Sequence, residues 1–375
     1  MRVPRIGLAV LVSVMFVLAA CQGGTGGSAQ RTAVRLQLQW FPQAQFAGYY
    51  AAAAKGYYTD EGLDLTIIPG SADIAPQVVG SASDGPEFTI AWVPKVLQAR
   101  ESEAGSDLVN IAQVFQRAGT LSVSWKDSGI TSPADFKGKK VGAWGFGNEL
   151  EVIASAKKAG LTPGTDFTQV TQGFSMDELI AAHDGCAATA TNCVDVAEAM
   201  IYNEYAQLLE AKNPATGQLY QPTDLNVIDY NKVGTAMLQD ALWARAAWLA
   251  QGTNKDTAVK FLRATFKGWI YCRDHSADCV QFVTDAGSTL GAGHQKWMMN
   301  EINALIWPSP DGIGVLSPAA WSQTVDTALA AEIIKAAPPD TAFRTDLTTE
   351  ALNGLSDATG DGFKKAVVEI TAGGA

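Results

Sequence analysis

Hydrophobic and polar positions first fall into a readable rhythm at Val34. Val34, Leu36 and Leu38 alternate with Arg35, Gln37 and Gln39, the period of a half-buried strand. The alternation stops at Trp40-Phe41 and a proline, Gln43 and Gln45 occupy the turn, and an alanine-rich helix is predicted from about Phe46. A second strand, Leu63 to Ile68, ends at Pro69-Gly70. Strand, polar-aromatic loop, helix and parallel strand make a βαβ unit, and ligands of open α/β sheets bind beyond the carboxyl ends of such strands.

The same reading continues along the chain. It predicts a short helix at Ala75 to Gly80, strands at Glu87 to Ala91 (before Trp92), Val109 to Phe115 and Leu121 to Trp125, and a helix start at Ser132-Pro133. A strand from Lys140 to Trp144 then leads through Gly145-Phe146-Gly147-Asn148-Glu149 into a helix ending near Ala159. Phe167 to Gly173 reads as a strand, Met176 to Ala182 as a helix and Leu225 to Tyr230 as a strand. Val194 to Met200 runs into Tyr202-Asn203-Glu204-Tyr205; on one helix the two tyrosines would share a face. Beyond this the pattern turns helical. Ala236 to Gln251, Lys255 to Cys272, His294 to Ile306, Pro318 to Ala331 and Asp346 to Leu355 are all expected as helices, with Trp297, Trp307 and Trp321 as packing residues.

Ahead of the first strand, Arg2 and Arg5 precede an uncharged apolar run, Ile6 to Ala20, too short for a comfortable membrane span and placed as a signal peptide would be. Its end, Leu18-Ala19-Ala20-Cys21, resembles the lipobox of bacterial lipoproteins, which implies a lipid on Cys21 and a membrane anchor without a spanning segment. Residues 22–33 read as a flexible tether. The net charge of −11 argues against nucleic acid as the main partner and suits a soluble extracytoplasmic chain. The other four cysteines form two local pairs, Cys186 with Cys193 and Cys272 with Cys279. Export favours disulfides; a metal site at Cys272, His275 and Cys279 is the rival.

Three stretches carry candidate chemistry. Trp40 and Phe41 beside two glutamines, with Trp92 at another strand end, suit a flat ring stacked on aromatics with its edge hydrogen-bonded; the plainer alternative is aromatics capping a core. The Gly145–Glu149 loop opens a helix and offers backbone N–H groups to an anion or a carbonyl, or is simply a tight turn. Tyr202-Asn203-Glu204 would add a third aromatic-polar cluster, or a solvated helix surface. No Ser-His-Asp order, catalytic cysteine or carboxylate pair stands out, and the histidines are His183, His275 and His294.

With these residues laid out, Val34 to Leu355 resembles the periplasmic-binding-protein fold of ABC importers, in the branch of thiamine-pyrimidine-precursor, alkanesulfonate and riboflavin binding proteins. WFPQAQFAGYYAAAAKGYYTDEGLDLTIIPG, SPADFKGKKVGAWGFGNE and AEAMIYNEY carry the resemblance. Gln45-Phe46-Ala47-Gly48 and AEAMIYNEY resemble the riboflavin-binding members most; Phe46 stands where the pyrimidine-precursor branch tends to have histidine. The resemblance implies an α/β, two-lobed type II fold, each lobe a mostly parallel sheet flanked by helices. Lobe 1 would span 34–118 and return at 229–375, and lobe 2 would span 119–228, with crossovers near Arg117–Leu121 and Leu225–Asn231. A ligand would lie between the lobes. Lobe 1 would offer Trp40, Phe41, Gln45, Tyr49, Trp92 and Gln116; lobe 2 would offer Trp144, Gly147, Asn148, Glu149, Tyr202, Asn203 and Glu204. The expected function is solute capture for an ABC permease and its ATPase by a monomer anchored outside the cytoplasm, with no cofactor. The expected ligand is riboflavin or a thiamine pyrimidine precursor, with a sulfonate or small anion as the alternative. A pyrimidine-synthase relative that uses a histidine of its own, pyridoxal phosphate and a cysteine-rich iron site is the enzymatic alternative. It is disfavoured because this chain has no histidine in the aromatic loop.

Overall fold

A computed structural model describes residues 31–102, 106–183 and 193–375; Cys21, the signal segment, most of the tether and Cys186 lie outside them. The first strand, β1 (Thr32–Gln37), pairs in parallel with β2 (Leu63–Ile68) and with β3 (Phe88–Ala91). Val34 and Leu36 are buried as the alternation requires. Gln37 is buried too, its amide donating to the carbonyl oxygens of Leu38 and Pro69, so the polar face of β1 is covered at its carboxyl end while Arg35 stays partly exposed. Two further strands, β4 (Leu108–Gln113) and β10 (Ala241–Arg245), complete a five-stranded sheet of order β2-β1-β3-β10-β4.

The strands between them form separate sheets. β5 (Thr120–Trp125) lies between β8 (Ala197–Met200) and β9 (Leu225–Asp229), antiparallel to both, while β6 (Lys140–Ala143) and β7 (Thr168–Thr171) pair in parallel. A parallel bridge from Val141 to Val196 links these two sheets. The parallel character expected of each sheet therefore belongs to β2-β1-β3 and β6-β7. β5 and β10 follow direct passages between sheets, and parallel pairing needs a long crossover, usually a helix, to return the chain to its starting edge.

The chain passes from β4 to β5 at 114–119. It passes from β9 to β10 at 230–240, after Leu225–Asp229 has paired with β5. The largest departure is Ala236 to Gln251. Instead of one helix it forms β10 followed by the short helix Ala246–Leu249. β10 is buried along its whole length between β3 and β4, and a strand apolar on both faces has no alternation to separate it from a helix.

Helices Ala47–Ala54, Asn254–Asp274, Ser276–Asp285 and Ala292–Ile306 cover one face of the large sheet, in a core that includes Phe46, Tyr49, Phe261, Phe266 and Trp269. Trp307 is buried in that core, Trp321 is buried beneath helix Pro318–Ala330, and Trp297 is half-buried. Cys272 and Cys279 are joined by a disulfide with Cα atoms 5.6 Å apart, which removes both thiolates from any metal site with His275. Cys193 is also disulfide-bonded. Among the described residues no helix is long and apolar enough to cross a membrane.

Helices Ala47–Ala54 and Asn254–Asp274 meet where Gly48 and Gly268 leave room. A Cβ on Gly268 would lie 2.0 Å from the Gly48 carbonyl oxygen, and one on Gly48 would strike the Trp269 ring. Overpacking of this kind costs about 1–3 kcal/mol. Gly268→Ala is expected to lower the urea-unfolding free energy by at least about 1 kcal/mol, whereas Gly362→Ala, at a position with open space, should leave it unchanged. Equal effects of the two would refute this account of the helix crossing.

Candidate functional site

The loops that follow β1, β2, β3, β6, β7 and β8 converge on one cleft. Each leaves the carboxyl end of its strand, which is where an open α/β sheet exposes side chains without spending them on its own core. Gln39 and Trp40 come from the end of β1, Ser71 and Ala72 from the end of β2, and Trp92 from the end of β3. Trp144, Phe146 and Asn148 follow β6, Phe174 follows β7, and Met200, Tyr202, Asn203 and Glu204 stand at the end of β8.

The wall on the large-sheet side is organised by a residue outside the sequence-predicted set. Asp240, just before β10 and 2% exposed, accepts hydrogen bonds from Gln45 Nε2 at 2.8 Å and from Trp92 Nε1 at 2.7 Å. Gln45 Oε1 in turn accepts from Gln43 Nε2 at 2.7 Å, and the Trp92 backbone N–H donates to Gln39 Oε1 at 3.0 Å. Gln45 thus spends its amide on Gln43 and Asp240, and its role is to hold this wall. Lys95, one turn along helix Val93–Arg100 from Trp92, lines the same side.

The opposite wall rests on β8. Glu198 Oε2 accepts the Trp144 backbone N–H at 2.9 Å, and the Trp144 indole donates to the Gly173 carbonyl at 2.9 Å, which fixes the ring at the cleft. Glu204 accepts from the Met200 N–H at 3.0 Å and from Asn203 Nδ2 at 2.7 Å. Asn203 Oδ1 faces His294 Nε2 at 2.9 Å, and His294 Nδ1 faces Glu210 at 2.9 Å. Tyr202 and Asn203 precede helix Glu204–Glu210, so the tyrosines do not share a face: Tyr202 lines the cleft while Tyr205 faces Trp297.

The Gly145–Glu149 loop turns through two left-handed residues, Phe146 (φ 63°) and Gly147 (φ 83°). Its donors are largely taken. The Gly147 N–H donates to Glu149 Oε2 at 2.9 Å, and Asn148 Nδ2 donates to the Gly145 carbonyl at 2.8 Å. A carboxylate therefore already sits where an anion was expected. Trp40 and Phe174 meet at 4.5 Å between ring centres, at the mouth.

Of the sequence-predicted residues, Trp40, Gln45, Trp92, Trp144, Asn148, Tyr202, Asn203 and Glu204 line the cleft. Phe41 instead packs edge-on against Trp40 and is 41% exposed, and Tyr49 is buried in the core, edge-on to Trp269. Gln116 donates to the Gln113 and Val315 carbonyls; Gly147 and Glu149 shape the loop behind the lining. Lys95 and Asp240 went unseen. Lys95 had a signal, three residues beyond Trp92 on a helix and hence on its face; Asp240 was hidden by the helical reading of its segment.

Burial dominates the electrostatics. It pushes the carboxyl groups of Asp240 up to about 6 and of Glu151 and Glu204 up to about 7, and raises Glu198 well above the carboxylate range; hydrogen bonds pull each back in part. Groups that hold protons more tightly folded than unfolded add stability below their unfolded values and lose it as pH rises through the folded ones. The carboxyl groups held low, such as Asp346 at about 2, act only in more acidic solution. Unfolding free energy should therefore fall by at least about 1 kcal/mol from pH 5 to pH 7.5. Urea titrations at both values test this, and a flat or rising profile would contradict it.

The riboflavin-binding protein RibY of Chloroflexus aurantiacus is 25% identical over 316 residues, 81% of this chain and 82% of that protein. The formylaminopyrimidine-binding protein of Halalkalibacterium halodurans is 24% identical over 266 residues, 70% and 73% of the two chains. A 4-amino-5-hydroxymethyl-2-methylpyrimidine phosphate synthase of Aspergillus parasiticus is 24% identical over 258 residues, 67% and 70%. In fold, the periplasmic aliphatic sulphonate binding protein SsuA of Escherichia coli aligns with a TM-score of 0.59 at 14% identity, covering 83% of this chain and 95% of that one. The family model described as NMT1/THI5 like matches residues 43–278, more than half of the sequence, and the chain belongs to that family.

Proposed function

We propose that this protein is the solute-binding component of an ABC importer, capturing a flat heteroaromatic vitamin or precursor, of the riboflavin or thiamine-pyrimidine kind, in the cleft. The observation that carries the reading is the composition of the lining. Trp40, Trp92, Trp144, Phe146, Phe174 and Tyr202 gather around one slot with Gln39, Gln43 and Asn148 between them. Rings supply stacking area and amides supply both donors and acceptors, the mixture a planar heterocycle needs. The names of RibY and of the formylaminopyrimidine-binding protein support the same ligand class.

In this reading residues 34–118 and 229–375 form one lobe and 119–228 the other, and the lobes close on the ligand about the two passages. The closed form, a monomer anchored outside the cytoplasm through a lipid on Cys21, delivers its ligand to a permease and its ATPase. A binding role is favoured over a synthase one by where the histidines stand: His183 lies on Trp125, His275 on Tyr271, and His294 is bonded to Asn203 and Glu210. A small acid as ligand is disfavoured by Glu149, which occupies the glycine loop.

Thermal-shift screening with riboflavin, 4-amino-5-hydroxymethyl-2-methylpyrimidine and ethanesulfonate tests the reading, since a ligand that binds the native state raises the melting temperature with its concentration. Stabilisation by a ring compound is expected; stabilisation by the sulfonate alone would overturn it. Trp40→Ala should weaken the ring compound by about 1 kcal/mol or more, roughly fivefold, through lost stacking. Unchanged affinity would return Trp40 to a packing role.

A further inference from the structure

Lys95 is only 5% exposed and lines the cleft, yet among the described residues neither a hydrogen bond nor an ion pair meets its ammonium. An ammonium carries three donors and is costly to bury without acceptors. What surrounds it softens that cost without supplying directed partners. The Trp92 ring centre lies 5.1 Å from Nζ, and Glu149, Asp240 and Glu198 act on it from beyond contact range. Burial lowers its pKa to about 8, so the group is still mainly charged at neutral pH. The site is built around this side chain from the other wall as well. A Cβ at Gly147 would stand 3.2 Å from Lys95 Cγ, so the glycine lets the loop after β6 lie directly over the lysine stem.

We propose that Lys95 is a ligand-contacting residue that donates to a carbonyl oxygen on the edge of the bound ring, and that the ligand class is accordingly a ring lactam or dione. This inference rests on the heteroaromatic reading above. The acceptor is a carbonyl and not a free acid because of the carboxylates that face the lysine, Asp240 on the approach to β10 and Glu149 in the glycine loop; Glu198 on β8, whose carboxyl burial holds in the protonated form, adds no charge. A full negative charge placed against Nζ would be repelled by both in this partly desolvated cleft, whereas a neutral carbonyl gains the charge-assisted bond without that repulsion. An amino group at the same ring position would bring donor against donor. Lys95 thereby selects an oxygen-bearing ring over the amino-bearing one, while Trp40 and Trp144 provide stacking area that does not distinguish the two.

The experiment titrates wild-type protein and Lys95→Met with lumichrome (a ring dione without a side chain), riboflavin, 4-amino-5-hydroxymethyl-2-methylpyrimidine and ethanesulfonate, and records the ligand-free melting temperature of each protein. Lumichrome and riboflavin are expected to bind the wild type and to weaken at least tenfold in the variant. The ligand-free melting temperature should be unchanged or higher, because an unpaired buried charge has been removed. Lys95→Arg, which keeps the charge, should recover part of the affinity. Equal affinity of wild type and Lys95→Met for lumichrome overturns the proposal and leaves the heteroaromatic reading standing. Wild-type protein that binds none of the ring compounds overturns both. Loss of ethanesulfonate binding alone would assign the lysine to an acid, and a lowered melting temperature with equal weakening of every probe would assign it to packing; either result overturns the proposal.

Discussion

The Asp240 carboxylate is the interaction on which this architecture turns. It stands where the chain, having left the large sheet after β4 and built the others, comes back to enter β10. There it accepts from the Gln45 amide beyond β1 and the Trp92 indole beyond β3. Three segments far apart in sequence are thus fixed to a single acceptor at one end of the sheet. Burial opposes the charge that makes the acceptor strong, and the two short donor contacts, together with the nearby Lys95 ammonium, offset only part of that opposition. Removing either donor would leave a buried carboxyl group short of partners, which is more damaging than the bond itself is stabilising.

The two walls of the cleft solve the same problem differently. On the large-sheet side, side chains hold one another through Asp240. On the other side, the backbone of β8 and its carboxyl groups do the holding: Glu198 takes the Trp144 N–H, and Glu204 takes the Met200 N–H. Behind Glu204 the contacts run through Asn203 and His294 to Glu210, so helix Ala292–Ile306 buttresses the second wall although it covers the first sheet. Aromatic rings held from behind in this way keep their faces for a guest. The glycine loop, by contrast, satisfies itself, and its contribution is to make room for Lys95.

What could be read from the chain follows the range over which each signal acts. Alternation at Val34, Leu36 and Leu38, the proline-glycine stop after Ile68 and the long three-four spacing from Lys255 onward are local, and the elements they predict are present. The aromatic strand ends at Trp40, Trp92 and Trp144 were legible as a class because a strand's carboxyl end is marked by the turn residues that follow it. Tyr49 was misjudged because a tyrosine two residues into a helix looks alike whether it faces a cleft or Trp269. Gln116 and Glu149 were misjudged because nothing local records that their polar groups are already bonded to the chain itself.

The sequence by itself determined the alternation of strands and helices, the family pattern and the supply of rings and amides at strand ends, since each depends on neighbours a few residues away. Only the tertiary structure decided that Ala241–Arg245 is a strand, that Asp240 is the shared acceptor and that Lys95 lies beneath Gly147. Those facts depend on which distant segments bury one another: a stretch enclosed on both faces loses its periodicity, and a charge acquires its meaning from partners far along the chain.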